Sequence, residues 1–324
     1  MRGRVAGVTR KPGATGRRKG RRDVPNRTIA AVEAGGTKFI LALADEAGTI
    51  LERSRIDTAA PDVTLPAAVR FFAEASARQG RIAGFGIGSF GPIETDPRSP
   101  DYARFKPNPK PGWAGASFAE AFAGFDAPIV LDTDVNAAAL GEWLHGAGQG
   151  CETVAYTTVG TGIGSGILRG GEPVGGFAPP ETGHIPVPHD RGEDDFDGVC
   201  PFHGDCLEGL ASGPAIAARW GAQLASGQAG YEQRVALIAR YLASLATTLI
   251  LLHTPDRLIF GGGVMKAPGL LDALRRETEA RLAGYVRHPR LDPGLCTYIA
   301  APDLGDEAGI RGAIALGRRA LKPA

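Results

Sequence analysis

Cysteine is scarce in this sequence, with four residues in a chain of 324. Four are too few for a disulfide framework in a chain of this length, so a buried core must hold the fold together. Cys151 and Cys296 each stand alone in apolar surroundings, where inert buried thiols are expected. We therefore expect a protein of the reducing cytoplasm.

The sequence also shows no targeting signal and no long apolar run. No stretch approaches the roughly 18 uninterrupted apolar residues of a membrane span. The N-terminus lacks the apolar centre of a secretory signal. We expect a soluble protein with no membrane partner, and 43% hydrophobic residues suffice for a sizeable core, more readily in two domains than in one.

The chain has little net charge, at +1, but its basic residues are unevenly distributed. Nine of the 36 basic residues precede the first acidic residue, Asp23, which leaves 27 basic against 35 acidic residues, a balance of −8. Residues 1–27 could bind nucleic acid weakly through this charge, but they contain no aromatic residue for base stacking. We favour a disordered basic leader and expect no specific nucleic-acid partner.

Two segments repeat the same outline of strand, glycine turn and strand. The first begins at Thr28 and the second near Glu152, and helical stretches follow each. This alternation predicts an α/β fold of two similar halves with a cleft between them, and a glycine turn from each half should face that cleft.

Three glycine-rich turns follow predicted strands, and their bare backbone N–H groups suit phosphate binding. A lone glycine pair can simply satisfy a turn that needs positive φ, but three turns on strand ends indicate a nucleotide held between domains. The third turn is expected where a strand meets a helix N-terminus. No Walker loop or dinucleotide fingerprint is present. The turns are Gly35, Gly36, Thr37 and Lys38; Gly160, Thr161 and Gly162; and Gly261, Gly262 and Gly263.

The segment LDTDVNAAALGE places two carboxylates at the end of a predicted strand. A carboxylate there can accept a proton from a substrate hydroxyl, and Asp134 is our candidate general base. Asp132 is the alternative, and either residue could instead cap the helix expected near Asn136.

The segment CPFHGDC supplies three zinc donors, Cys200, His203 and Cys206, within one short loop. The fourth ligand is His184 or His189. A disulfide conflicts with a reducing compartment, and a catalytic thiol does not need a second cysteine. The pattern predicts a structural zinc ion, because four protein ligands leave no open coordination position.

Polar side chains that suit sugar hydroxyls stand close to this loop. Glu181 and His184 share one turn, ETGH, just upstream of the cysteines. Asn108, in a long proline-rich loop at 95–115, and Asn136 are further amide candidates.

Eight segments occur in the order seen in the ROK family of sugar kinases, within the actin-like ATPase superfamily. The sequence is most similar to the ROK fructokinases, and the resemblance covers nearly everything after Thr28. The segments are EAGGTK, GIGSFGPI, PKPGW, DTDVNAAALGE, TVGTGIGSG, ETGH, CPFHGDCLEGLASGPAI and GGGV.

The resemblance implies two actin-like, ribonuclease H-like domains that close over ATP and a sugar. One spans 28–145 and is completed by a C-terminal helix near 304–319; the other spans 146–303 and carries the zinc-binding loop. It further implies a homodimer that transfers phosphate from ATP with Mg²⁺ to the 6-hydroxyl of D-fructose. Glu33 departs from the wider family, in which an aspartate often opens the first phosphate loop and helps to place Mg²⁺.

By the same resemblance the site residues have specific roles. Asp134 is the base, the first two turns hold phosphates, and Gly262 and Gly263 lie beside the adenosine. Sugar contacts fall to Asn108, Glu181 and His184, and zinc ligation to His184, Cys200, His203 and Cys206.

Three alternative functions remain open at this stage. The sugar could be glucose, mannose or an N-acetylhexosamine. Some ROK proteins are sugar-responsive repressors, but a leader of 27 residues is too short for their three-helix DNA-binding domain. A catalytic zinc ion is the third alternative.

Overall fold

The computed structural model describes residues 27–108, 110–291 and 294–321, so the predicted leader lies outside the described residues except for Arg27. The chain forms two five-stranded sheets with the same internal order. In each, an antiparallel hairpin forms one side and parallel strands continue from its first strand. This confirms the predicted α/β class and its repeated outline.

The strands of the two sheets correspond one to one. The first sheet has the order β3 (Ile50–Asp57), β2 (Lys38–Asp45), β1 (Thr28–Ala34), β4 (Ile82–Ser89) and β5 (Ile129–Thr133). The second has the order β8 (Glu172–Pro173), β7 (Ile163–Arg169), β6 (Thr153–Val159), β9 (Arg257–Gly261) and β10 (Ile299–Ala300).

Helices cover both sheets. They are α1 (Pro61–Gln79), α2 (Phe118–Phe122), α3 (Asp134–His145), α4 (Leu207–Ala211), α5 (Gly213–Trp220), α6 (Tyr231–His253), α7 (Leu270–Leu282) and α8 (Ala308–Arg319). Aromatic side chains dominate the core of the first sheet, where Phe72 and Phe122 pack around Phe85. Aliphatic side chains dominate the core of the second.

Helix α6 is long and apolar enough to cross a membrane by length and composition, although charged residues interrupt its sequence. Its Leu242, Leu245 and Leu249 instead lie in the core of the second sheet, and the helix packs along α7. Arg234 and Arg240 interrupt the apolar residues in the first half of the helix.

One of the two lone cysteines differs from expectation. Cys151 is buried, as predicted, but Cys296 is exposed, in a turn that precedes β10. Its neighbour in sequence, Leu295, is only 2% exposed and packs in the core, whereas Cys296 itself lies at the surface.

Helices α3 and α8 pack against each other between the two sheets. Helix α8 contacts β1, β4 and β5, and α3 contacts β6 and β7. Their backbones approach closely at glycines: a Cβ atom on Gly312 would lie 1.7 Å from the carbonyl oxygen of Ala137, and one on Gly141 would lie 2.2 Å from that of Ala308. No side chain larger than hydrogen fits at these two positions.

We predict that Gly312→Ala lowers the free energy of unfolding by about 2 kcal/mol or more, because the added methyl group must push the two helices apart. Urea unfolding monitored by circular dichroism measures the loss. Gly124→Ala is the control, since a Cβ atom there meets nothing within 4 Å. Equal stability of the two variants would contradict the proposed close packing.

Candidate functional site

Carboxylates gather where the parallel strands of the first sheet end. Glu33 on β1 is paired with Gly88 on β4, which is paired with Asp132 on β5. Asp134 begins α3 directly afterwards, and a Cβ atom on Gly88 would lie 3.6 Å from its Cα atom. The C-terminal edge of this sheet therefore forms one wall of the candidate site.

The start of α3 also touches the second sheet. A Cβ atom on Gly166 of β7 would lie 2.4 Å from the carbonyl oxygen of Val135, and one on Gly164 would lie 3.4 Å from its side chain. Asp134, the residue before Val135, therefore lies between the two sheets, beside the strand that leaves the second glycine turn.

Hydrogen bonding distinguishes the two aspartates. One oxygen of Asp132 accepts bonds from the backbone N–H of Thr133 and from the side-chain amide of Asn136, each at 2.7 Å. Among the described residues, Asp134 accepts only the backbone N–H of Val135, at 2.9 Å. Asp134 thus keeps an oxygen available for a ligand, whereas Asp132 and the buried Asn136 hold each other.

The helix cap falls to neither aspartate. Helix α3 begins at Asp134, and the Thr133 hydroxyl accepts the backbone N–H of Asn136 as its N-cap. The alternative that Asp132 or Asp134 serves as the cap is therefore wrong.

Burial in this cleft disfavours negative charge on two carboxyl groups. It raises the pKa of Asp134 to about 6, with a further contribution from Glu181. It raises the pKa of Glu33 to about 7, although Lys38 opposes the shift. One oxygen of Glu33 is buried without a hydrogen-bond partner among the described residues. Both carboxyl groups would gain from a cation or a donor brought by a ligand.

The first glycine turn is closed by its own backbone. The N–H of Gly35 donates to the carbonyl oxygen of Lys38 at 2.9 Å, and the N–H of Thr58 donates to that of Thr37 at 3.0 Å. Neither Gly35 nor Gly36 has positive φ, and a Cβ atom on Gly36 would meet nothing within 4 Å. Turn geometry thus does not explain Gly36, and the space beside it is open to a ligand.

The second turn, Gly160 to Gly162, joins β6 and β7, and its Gly160 carbonyl accepts the N–H of Gly213 at 2.8 Å. Glu208 supports it from α4 by accepting the N–H of Ile163 at 2.8 Å. A Cβ atom on Gly162 would lie 2.7 Å from that carboxylate. Glu208 was not among the predicted site residues, because its position two residues after Cys206 is its only signal in the sequence.

The third turn lies against the second. Gly262 has a φ of 93°, and a Cβ atom on it would lie 2.4 Å from the carbonyl oxygen of Val159, at the end of β6. Gly263 borders open space. The expected helix N-terminus is not directly at this turn, because a 3₁₀ turn at Val264–Lys266 intervenes and α7 begins only at Leu270.

The predicted metal ligands do converge. One donor atom from each of His184, Cys200, His203 and Cys206 lies within 4.8 Å of the others. The Nδ1 atom of His184 lies 3.7 Å from the sulfur of Cys200 and 3.6 Å from that of Cys206. Tetrahedral zinc, with bonds of about 2.3 Å to sulfur and about 2.0 Å to nitrogen, separates such donors by about 3.6 Å. The donor set and spacing fit this metal.

The rival ligand His189 is occupied elsewhere. Its Nδ1 atom lies 3.1 Å from the carboxylate of Asp205, and its Nε2 atom lies 2.9 Å from the carbonyl oxygen of Asp194. His189 therefore fastens the loop and is not part of the ligand cluster.

The candidate sugar-binding residues are unevenly placed. Glu181 and His184 share one 3₁₀ turn. Burial raises the pKa of Glu181, although the charge of His184 opposes the shift, and Glu208 adds to it. His184 turns Nδ1 towards the cysteines, which leaves Nε2 for another partner. Both amide atoms of Asn108 are engaged in their own loop, with the carbonyl oxygen of Lys106 and the backbone N–H of Lys110.

Lys110, which sequence analysis also overlooked, reaches the first glycine turn from the proline-rich loop. Its ammonium group donates to the carbonyl oxygen of Gly36 at 2.6 Å.

We predict that Glu33 makes the folded protein less stable as pH rises. Its pKa is raised on folding from 4.5 to about 7, so the folded state binds more protons than the unfolded state between these values, and stability falls from about pH 4 to pH 7. Glu33→Gln removes this loss. Urea unfolding without nucleotide measures the free energy of unfolding of the variant and of wild type at pH 5 and at pH 8. The difference in favour of the variant should be larger at pH 8 than at pH 5, on the order of 2 kcal/mol. Equal differences at both pH values would show that the carboxyl group is not desolvated.

Comparison with known proteins places nearly all of the described chain in one family. The family model described as ROK family matches residues 29–320. A fructokinase from Zymomonas mobilis is 44% identical over 291 residues, which cover 88% of this chain and 94% of that protein. A putative fructokinase from Bacillus subtilis is 38% identical over 295 residues, covering 91% and 96%. Among solved structures, a ROK glucokinase from Streptomyces griseus in complex with glucose and AMPPNP has a TM-score of 0.68 and 27% identity, covering 90% of this chain and 99% of that one.

Proposed function

The chain belongs to the ROK family, and we propose that it is an ATP-dependent fructokinase that phosphorylates the 6-hydroxyl of D-fructose. The observation that carries this proposal is the placement of Asp134 between the two sheets, with one carboxylate oxygen free. The relatives named fructokinase support the choice of sugar.

Each wall of the cleft supplies one part of a phosphoryl-transfer site. Asp134, with a pKa of about 6, is mostly ionised at neutral pH and can accept the proton of the attacking hydroxyl. The first two glycine turns offer backbone N–H groups to the phosphates. Positioning and charge neutralisation supply most of the catalysis in such transfers. We propose that Gly262 and Gly263 lie beside the adenosine.

The carboxyl group of Glu33 fits the Mg²⁺ that accompanies ATP. One of its oxygens is buried without a hydrogen-bond partner among the described residues, and a cation bound beside it would offset the cost of ionisation. Mg²⁺ supplies charge neutralisation on the phosphates when it is bound.

We propose that 28–145 together with α8, and 146–303, are the two domains that close over these substrates. Helix α8 packs on the first sheet although it follows the second in sequence. The sugar would lie between Asp134 and the turn of Glu181 and His184. A cytoplasmic homodimer without a specific nucleic-acid partner is the assembly that the family resemblance implies.

We also propose that His184, Cys200, His203 and Cys206 bind one structural zinc ion. Four protein ligands complete a tetrahedron and leave no position for substrate, so a catalytic zinc ion is not favoured. Through His184, the ion would fix the turn that carries Glu181 against the cleft.

We expect the purified protein with Mg-ATP to release ADP faster with fructose than with glucose or mannose. Asp134→Asn should lower kcat at least about 1,000-fold, because it removes the base and its charge. Asp132→Asn should stay within about tenfold of wild type, because the Asp132 side chain is already engaged by the amide of Asn136. A coupled ADP assay measures both, and an active Asp134→Asn enzyme would refute the assigned base.

We expect metal analysis of the purified protein to find about one zinc ion per chain. Cys206→Ser should lose that ion and unfold at a lower temperature, because metal binding to the folded state contributes to stability. His189→Ala should keep the ion, since its ring faces Asp194 and Asp205. Zinc loss in His189→Ala with retention in His184→Ala would reverse the ligand assignment.

A further inference from the structure

Lys110 brings a positive charge from the proline-rich loop to the first glycine turn. Its Nζ atom lies 2.6 Å from the carbonyl oxygen of Gly36, a residue 74 positions away in sequence. In the part of the chain that the structure describes, no carboxylate lies within ion-pair distance of this ammonium group. Lys106 in the same loop differs, because it pairs with Glu94 at 3.1 Å.

The loop that carries Lys110 is anchored by Trp113, three residues further along the chain. Trp113 is fully buried, and its indole N–H donates to the carbonyl oxygen of Ala59 at 2.9 Å. Its ring packs against Phe39 and Phe105, with centroids 5.6 Å and 4.9 Å away. The reach of Lys110 to the turn is therefore a consequence of core packing.

A half-buried ammonium group that meets only a neutral carbonyl oxygen is incompletely compensated. A phosphoryl group bound at the same turn would supply the missing negative charge. Lys38 is less available for this role, because its charge lowers the pKa of both Glu33 and Asp306. Lys110, by contrast, reaches the turn from a different loop and contacts its carbonyl oxygen directly.

We propose that Lys110 is a catalytic residue of the reaction proposed above, on which this inference rests. Its ammonium group leaves the Gly36 carbonyl and binds the γ-phosphoryl oxygens during transfer. The bond between the fructose oxygen and phosphorus forms while the bridging bond to the β-phosphate breaks, with its electron pair going to ADP. The hydroxyl proton goes to Asp134, and Lys110 keeps its protons throughout.

The test compares Lys110→Met with Lys110→Arg and with the control Lys106→Met. We expect Lys110→Met to lower kcat for fructose about 100-fold, and Lys110→Arg to recover part of that loss. Lys106→Met should stay within about threefold of wild type. Titration calorimetry should show unchanged ADP affinity in Lys110→Met. Affinity for ADP with aluminium fluoride and fructose, which mimics the transferred phosphoryl group, should fall by a factor similar to that in kcat.

A purely structural role predicts a different pattern, with a lower melting temperature and equal weakening of both complexes. That pattern, or a kcat within threefold of wild type, would overturn the role of Lys110 while leaving the fructokinase proposal intact. A wild-type protein that phosphorylates no hexose would overturn both.

Discussion

The contact between α3 and α8 is the constraint on which the rest of the structure depends. Both helices lie between the sheets, and at Gly312 and Gly141 their backbones approach too closely for any side chain. This contact brings the N-terminus of α3 to the C-terminal edge of the first sheet and, at the same time, against β7. Asp134 can therefore be reached from both halves of the molecule only while these helices stay packed.

Charge is arranged in the cleft at an energetic cost that a ligand can offset. The pKa values of Glu33 and Asp134 are both raised by burial, and Lys110 contacts a neutral carbonyl oxygen. Groups of either sign are thus incompletely compensated at the first glycine turn and at the start of α3. Such a site is suited to a ligand that carries both phosphate and a divalent cation, as Mg-ATP does.

The cysteine and histidine cluster lies beside the turn of Glu181 and His184. The turn of Glu181 and His184 packs closely on β7, since a Cβ atom on its Gly183 would lie 1.9 Å from the carbonyl oxygen of Ile163. A metal bound to Nδ1 of His184 would fix the ring while leaving Nε2 to face the cleft. One imidazole can in this way serve both the metal and a substrate.

The sequence alone determined the family, the α/β class, the repeated halves and the order of the turns, because glycine turns and metal-ligand spacings are local patterns. Only the tertiary structure revealed that Asp132 is hydrogen-bonded to Asn136 and that His189 contacts Asp194 and Asp205, since these partners meet in three dimensions. The reach of Lys110 and the support from Glu208 also involve residues far apart in the chain, and no local pattern encodes such distances. Exposure of Cys296 was mispredicted for the same reason: apolar neighbours in sequence do not determine which way one side chain faces.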